Sequence, residues 1–461
     1  MSTRVNSNFQ PERVAEAFVP GGAKTPVGRL VQESSEPAAL VVRWLFYAFV
    51  FSLPFETVGE GFFEPPTIIG ALLLASTLLQ PGLFLRWPPA GFWCFVIYLY
   101  LFATLGVLEP SRYRAELWRH VLLLAQLLTL GWLAYCLMLD RRVAERALLG
   151  LAAACVMLAL LQVTGVASRA TDVGARVERV TAFGFHPNNL ARILTLGLLA
   201  LVGLAYGSGK SFFRPVFLSW PMVVLIGVVL IQTGSRGALL ALGVGLTTFI
   251  LRGGSSGSKL VNALGVLLIV VFFALAATQS EIMRQRFERT VEEGDLARRE
   301  QIYPSAWGMF WEKPLTGWGP NGSSNELGTR LGHPEEETKN PHNLILYALV
   351  SSGVVGALPL FAGIALATRA AWKSRRGATG VLPLALVSAV LVSNMSGLWL
   401  FNKLHWLVMA YALASTHYPR LRIADCGLRI DKNRDRTLRR RVTEGKRPIS
   451  HSSNPQSAIR N

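Results

Sequence analysis

Twelve apolar runs divide most of this 461-residue chain, and they constrain its fold more than any other feature. A helix needs about 20 mostly apolar residues to cross a bilayer. The composition agrees, because 51% of the residues are hydrophobic and only 16% are charged, which excludes an ordinary soluble protein. The sequence therefore predicts an all-α integral membrane protein with about twelve transmembrane helices. The predicted spans are 40–55, 67–85, 90–108, 119–139, 146–166, 188–206, 214–232, 236–251, 260–278, 343–368, 380–397 and 400–417.

Polar segments define the rest of the predicted organisation. A polar N-terminal segment, 1–39, precedes the membrane region 40–418, and a basic tail, 419–461, follows it. From Arg420 onward the tail has twelve Lys and Arg against four Asp and Glu. We predict that the tail is disordered, cytoplasmic and attracted to anionic membrane lipids. Nucleic acid is not a predicted partner, because the tail has no interleaved aromatic residues.

An even number of spans places both termini on one side of the membrane, and the basic tail predicts that this side is the cytoplasm. Most short loops with Lys and Arg agree, although several arginines on the opposite side do not follow the rule. The 64-residue polar stretch 279–342, between the ninth and tenth spans, then faces outward. We therefore predict a large extracytoplasmic loop at this place.

Three predicted spans begin at the outer face with a polar junction; these junctions are 184–189, 234–237 and 340–343. A helix N-terminus presents free N–H groups and the positive end of the helix dipole, which favour anions such as phosphate. Ser235 and Asn340 are the predicted N-cap residues, and Pro341 suits a first helical position. The three junctions together predict an anion site at the outer face.

Arginines near these junctions could hold phosphate oxygens in bidentate pairs. The candidates are Arg236 and, from the loop, Arg298 or Arg299. The loop has eight Lys and Arg against eleven Asp and Glu, so its arginines do not form a general basic patch. Considered alone, Arg236 is also typical of an arginine that snorkels to the membrane interface.

His342 is the candidate general base, because a neutral histidine can accept a proton from a hydroxyl. A helix N-terminus and nearby arginines disfavour its charged form. Considered alone, an interfacial histidine is the commoner interpretation. Further substrate-binding candidates are His186, Asn188, Asn189, Asn343 and Trp318. Considered alone, helix capping is the simplest explanation of the residues at 186–189, and interfacial anchoring is the commoner role of a tryptophan.

These groups suit an in-line displacement. An acceptor hydroxyl attacks a sugar carbon, a lipid diphosphate leaves, and arginines stabilise the charge that grows on the leaving group. If arginines carry the leaving-group charge, we predict that the reaction requires no metal or cofactor, and the sequence lacks a His-Glu-x-x-His motif. The acidic run 335–337 is predicted to be a solvated loop rather than a set of metal ligands.

Within 180–360, the order and spacing of these motifs resemble the O-antigen ligase and polysaccharide polymerase superfamily of membrane glycosyltransferases. The matching pieces are GFHPNN at 184–189, TGSRGALLAL at 233–242, Arg299 leading through Tyr303 and Trp307 to PLTGWG at 314–319, and PHN at 341–343 followed by Gly353 and Gly356. One departure is the pair Ser351 and Ser352, where many relatives carry an acidic residue.

The resemblance implies a GT-C-like fold with about twelve spans and a large periplasmic loop in a bacterial inner membrane. It implies transfer of a glycan from undecaprenyl diphosphate to an acceptor without a metal. Arg236 and Arg299 then correspond to the diphosphate-binding arginines, with Arg298 as the neighbouring candidate. His342 corresponds to the residue that activates the acceptor hydroxyl.

Three functions remain open from the sequence. A ligase would join the glycan to lipid A core or a similar acceptor, and a polymerase of the same superfamily would use a growing glycan instead. A secondary transporter would also suit twelve spans, but it predicts internal repeats and polar residues at mid-membrane depth, which the sequence does not clearly contain. A scaffold role would leave the arginines and the histidine unexplained.

Overall fold

A computed structural model of the protein describes residues 36–56, 64–78, 82, 87–109, 114–171, 179–183, 186–207, 216–251, 256–292, 298–332, 339–377 and 379–418. Helices account for most of these residues, so the predicted helical fold is confirmed. One small antiparallel sheet adds to it, formed by β1 (Ser168–Thr171) and β2 (Arg179–Ala182), with Ser168 paired to Ala182. This short hairpin does not change the all-α class of the fold. The predicted tail 419–461 lies outside the described residues.

Fifteen α-helices follow one another through the described ranges, and each predicted apolar run overlaps one of them. The helices are α1 (Glu36–Ser52), α2 (Pro65–Thr77), α3 (Ala90–Val107), α4 (Arg114–Met138), α5 (Arg141–Val163), α6 (Pro187–Gly207), α7 (Val216–Gln232), α8 (Arg236–Thr247), α9 (Ser256–Gln279), α10 (Glu281–Glu292), α11 (Arg299–Glu312), α12 (Pro320–Arg330), α13 (Leu344–Ser374), α14 (Leu382–Met395) and α15 (Lys403–Ala414).

Five of these helices are long and apolar enough to cross a membrane, and they are α3, α4, α5, α6 and α13. A sixth span results if α9 and α10, which bend by 84° at their junction, are one broken span. The other apolar helices are shorter, such as the 13-residue α2. The protein is therefore an integral membrane protein with five or six spans by length and composition within the described ranges. The predicted number of twelve is not established by this criterion.

The helix α6 lies at the centre of the bundle, since 78% of the residues in its membrane-spanning stretch are buried. It packs against α5, α7, α8 and α14. Its apolar side chains, among them Leu190, Leu194 and Leu198, are fully buried. This central position matters for the site, because polar residues in the first turns of α6 are held inside the bundle.

The helix α13 is interrupted at Gly353, where φ is 60° and ψ is −169°. The segment 314–319 docks into this interruption through four backbone hydrogen bonds. Trp318 and Gly319 N–H donate to the carbonyls of Val350 and Ser351, each at 2.8 Å. In return, Val354 and Val355 N–H donate to Pro314 and Leu315 at 2.8 and 3.2 Å. PLTGWG at 314–319 and the helix turn around Gly353 are separate in the sequence but therefore form one structural unit.

The loop 279–342 contains the helices α10, α11 and α12. Its own small core is formed by Ile302, Ala306, Met309, Phe310, Leu327 and Val350, the last of which belongs to α13. A buried carboxylate joins this unit to the bundle, because Glu109 Oε1, just after α3, accepts a 2.9 Å hydrogen bond from Asn321 N at the start of α12. The loop is thus a folded unit anchored to α3 and α13.

Candidate functional site

The connection between α14 and α15 brings several predicted site elements together. The last residue of α14, Met395, and the two residues that follow it, Ser396 and Gly397, are here called the 395–397 segment. Arg299 Nη2 donates to Ser396 O at 2.7 Å, and Tyr303 Oη donates to Met395 O at 3.2 Å. The start of α8 reaches the same place, because a Cβ added at Gly237 would lie 2.5 Å from Ser396 Oγ. Residues far apart in sequence therefore meet at this segment.

The two neighbouring loop arginines have different environments. Arg298 is solvent-exposed and occupies the N-cap position of α11 in a left-handed conformation, with φ at 63°. Arg299 is the first helical residue, is half-buried, and bonds to the 395–397 segment. Of these two candidates, Arg299 is therefore the one that contacts the site.

Arg236 is half-buried at the first position of α8, with Ser235 at the predicted N-cap position. Its Nη1 donates to the backbone oxygen of Arg286 in α10 at 3.1 Å. Arg286 Nη1 in turn donates to Gly234 O at 3.0 Å. This reciprocal pair holds α10 against the start of α8. Arg286 was not among the predicted site residues, and its sequence context gives no signal that separates it from other arginines of the loop.

His342 lies just before α13 with a left-handed backbone, φ being 48°. Such a conformation costs about 1–3 kcal/mol for a residue other than glycine and is frequent at functional sites. The His342 N–H donates to Asn340 Oδ1 at 3.0 Å. The helix itself begins at Leu344, and Asn343 is its N-cap, accepting from Ile345 and Leu346 N–H. The prediction of Asn340 as the N-cap is therefore wrong, since its side chain is used one step earlier to fix the turn at His342.

The surroundings of His342 favour its neutral form. Although His342 is solvent-exposed, the surrounding protein partly desolvates its charged form, and this lowers its pKa below the usual value. The positive charges of Arg299, Arg192 and Lys339 lower the pKa of His342 further. A neutral imidazole can accept a proton, as a general base must.

The polar residues before and within the first turns of α6 lie next to the 395–397 segment and are joined to it by hydrogen bonds through Arg192. His186 Nδ1 accepts a 3.2 Å hydrogen bond from Asn188 N, so the ring caps the helix start. Asn189 Oδ1 accepts from Arg192 Nη1 at 3.2 Å. The predicted residue Asn189 is therefore joined to the site through Arg192, which was not a predicted site residue.

Arg192 is that missed residue. It is only 5% exposed, and its Nη2 lies 3.5 Å from Ser396 Oγ. A sequence signal for it existed, because an ionisable residue inside an apolar run is by default a candidate for function. The run 188–206 contains Arg192, but its apolar neighbours concealed it.

Trp318 lies in the core of the loop rather than among the contacts of the 395–397 segment. Its Nε1 donates to Met309 O at 2.8 Å. The ammonium of Lys313 lies 3.9 Å from the ring centroid, and the guanidinium carbon of Arg330 lies 5.3 Å from it. These contacts fit an anchoring role, and sugar stacking by Trp318 stays a prediction.

Two apolar grooves open beside this end of the bundle. One, of about 780 Å³, runs between α13 and α14 from Leu344 and Met395 to Arg369 and Trp372. Leu344 and Met395, at one end of this groove, lie close in the sequence to His342 and Ser396. The other, of about 620 Å³, lies between α8, α9 and α10. Both could accept a hydrocarbon chain, which has no hydrogen-bonding groups to satisfy.

Comparisons with known proteins point to the same family as the sequence motifs. Residues 221–361 match the family model described as O-antigen ligase, and this range includes Arg236, Arg299 and His342. An O-antigen ligase of Pseudomonas aeruginosa is 27% identical over 200 residues, which is 43% of this chain and 45% of that protein. The alignment thus spans less than half of that relative. The resemblance predicted from the motifs is confirmed: over these residues the chain is similar to the O-antigen ligase family.

Proposed function

We propose that this protein is an O-antigen ligase-like glycosyltransferase. It moves a glycan from an undecaprenyl-diphosphate carrier to a hydroxyl of an acceptor such as lipid A core. The observation that carries the proposal is the convergence on one short segment. Arg299 bonds to Ser396, α8 with Arg236 packs against the same residue, and the environment of His342 favours a neutral ring.

The proposed reaction is a single displacement at the anomeric carbon of the glycan. The acceptor oxygen forms a bond to that carbon while the bond from carbon to the diphosphate oxygen breaks. The acceptor proton passes to the neutral imidazole of His342. The diphosphate leaves with the bonding electrons, and the guanidinium groups of Arg236 and Arg299 stabilise its growing negative charge. Because arginines supply this stabilisation, we propose that the reaction needs no metal.

The proposed setting is the outer face of a bacterial inner membrane. The five long spans, the bent pair α9 and α10 and the five shorter apolar helices together support a bundle of about twelve crossings. With an even number of crossings, both termini lie on one side of the membrane. The basic tail supports the cytoplasm as that side, and the loop 279–342 then lies in the periplasm. The apolar groove between α13 and α14 supports access for a lipid-linked substrate, because it reaches the residues next to His342 and Ser396.

A deletion strain tests the proposed function and separates ligase from polymerase. Glycan profiling that finds long lipid-linked chains without transfer supports a ligase. Accumulation of single repeat units instead supports a polymerase of the same superfamily. An unchanged glycan profile together with lost uptake of a solute would replace both with a transporter.

Complementation of that strain tests the site. We expect Arg236→Ala, Arg299→Ala and His342→Ala to restore little or no transfer, while Arg298→Ala restores most of it. A matched control is Arg284→Ala, because Arg284 is exposed and pairs with Glu281 and Glu288 on its own helix. Full activity of the first three variants would overturn the proposed site.

A further inference from the structure

Arg192 is a buried cation without an acidic partner among the described residues. Its guanidinium has five N–H donors, but its contacts are one amide oxygen of Asn189 at 3.2 Å and the hydroxyl of Ser396 at 3.5 Å. Its Nε is buried and has no hydrogen-bond partner. The ring of Trp399 lies 5.8 Å from its Cζ. A buried charge is costly unless it is paired and hydrogen-bonded, so the charge of Arg192 is incompletely compensated.

A second guanidinium lies beside it. Arg192 and Arg299 both donate to Ser396, one to its hydroxyl and the other to its carbonyl. Within the described ranges, Arg299 also has no carboxylate partner. Two like charges at short range repel each other, most strongly in partly buried surroundings. An anion between the two guanidinium groups would relieve this repulsion and accept hydrogen bonds from N–H groups that lack a partner, such as Arg192 Nε.

The backbone is shaped around this arrangement. A Cβ added at Gly397 would lie 2.0 Å from Arg192 Nη2, so any side chain at residue 397 would displace the guanidinium from its present position. Asn189 fixes the other side of the same group. Asn189 and the 395–397 segment therefore fix the position of the Arg192 guanidinium from two sides. Neither of them carries a negative charge that would neutralise it.

We propose that Arg192 is a further anion-binding residue of this site, which takes a phosphate group of the lipid diphosphate together with Arg299. The assignment rests on the proposed function, because that function supplies the diphosphate. The alternative is a purely structural arginine that holds α6 to the 395–397 segment. The two differ in what they recognise: an anion-binding residue discriminates a diphosphate from an uncharged lipid, whereas a structural residue does not.

Binding of two probes to the purified full-length protein tests the assignment. The probes are undecaprenyl diphosphate and undecaprenol, which differ in the charged head group, and the measured quantity is the ratio of their dissociation constants. Arg192→Gln removes the charge but keeps a polar side chain, and Arg192→Met is the apolar alternative should the first variant not fold. Arg330→Met is the control, since Arg330 pairs with Glu312 and Glu326 in the loop.

We expect either substitution of Arg192 to lower the preference for the diphosphate at least tenfold, with the control unchanged. Arg192→Lys should recover part of the preference, because it restores the charge without the guanidinium fork. An unchanged preference in a folded Arg192→Gln or Arg192→Met protein overturns the assignment, as does an equal loss for both probes. If the wild type itself does not prefer the diphosphate, the proposed function fails first, and the assignment falls with it.

Discussion

Replacing Gly353 by alanine should release the segment 314–319 from α13. Gly353 has a positive φ with an extended ψ, a combination that only glycine adopts readily. An added Cβ would lie 2.2 Å from Leu315 O and 2.6 Å from Thr316 N. Both are backbone atoms of the docked segment, so a side-chain rotation cannot relieve the contact. The helix and the segment must separate.

The size of the effect follows from what is lost. The backbone conformation adds about 1–3 kcal/mol of strain for a residue with a Cβ. Each of the four backbone hydrogen bonds contributes a net of about 0.5–1.5 kcal/mol. Partial separation should therefore weaken docking by about 3 kcal/mol or more. A difference of that size is about a hundredfold in the opening equilibrium, at about 1.4 kcal/mol per factor of ten.

Amide hydrogen exchange of the purified protein measures this opening. The amides of Trp318, Gly319 and Val354 should exchange about a hundredfold faster in Gly353→Ala than in the wild type. The control is Gly308→Ala in α11, where an added Cβ meets nothing within 4 Å. A helical alanine there should be neutral or stabilising by about 0.5–1 kcal/mol. Wild-type protection in Gly353→Ala would refute the argument that this glycine holds the loop in place.

Three further predictions concern charge and pH. Burial raises the pKa of Glu109 from 4.5 to about 7, so the folded state favours the protonated acid. Its contribution to stability is present below the unfolded pKa and is lost as pH rises through about 7. Thermal melting at a series of pH values should show the free energy of unfolding fall by at most about 3 kcal/mol as the pH rises. Glu109→Gln should abolish this fall, because glutamine does not titrate. The same pH dependence of stability in both proteins would contradict this role of Glu109. Because the pKa of His342 is lowered, transfer should stay constant from pH 8 down to about 6.5, the usual histidine value, and decline only in more acid solution. A decline that begins above neutral pH would exclude His342 as the base. Finally, chelation with EDTA should leave the transfer rate within about twofold, since arginines are proposed to stabilise the leaving group; loss that added metal restores would reject that proposal.

Hydrophobic patterning was sufficient to predict the apolar helices, but not α10, α11 and α12 in the polar stretch 279–342. Every predicted run overlaps a helix, because apolar composition dictates which segments enter the membrane. The number of membrane crossings was harder to predict than the positions of the apolar helices, since helices such as α2 and α8 are shorter than the thickness of a bilayer. The β1–β2 pair was not predicted, because its pairing depends on contacts between two segments and not on a local apolar pattern.

The candidate site was predicted in part. Helix starts and charged residues in loops are visible in a sequence, which is how Arg236, Arg299 and His342 were selected. The 395–397 segment has no unusual residue, and its role arises only where other helices meet it. The docking of PLTGWG at Gly353 likewise depends on backbone hydrogen bonds between distant segments.

The central claim is that one site at the 395–397 segment transfers a glycan from a lipid diphosphate. The most direct measurement is transfer by the purified, membrane-reconstituted protein from an undecaprenyl-diphosphate-linked glycan to a purified lipid A core acceptor. We predict product with the wild type and with Arg330→Met. We predict a loss of at least about a hundredfold with His342→Ala, the lower range for removal of a general base. Wild-type rates in His342→Ala and Arg299→Ala would contradict the claim.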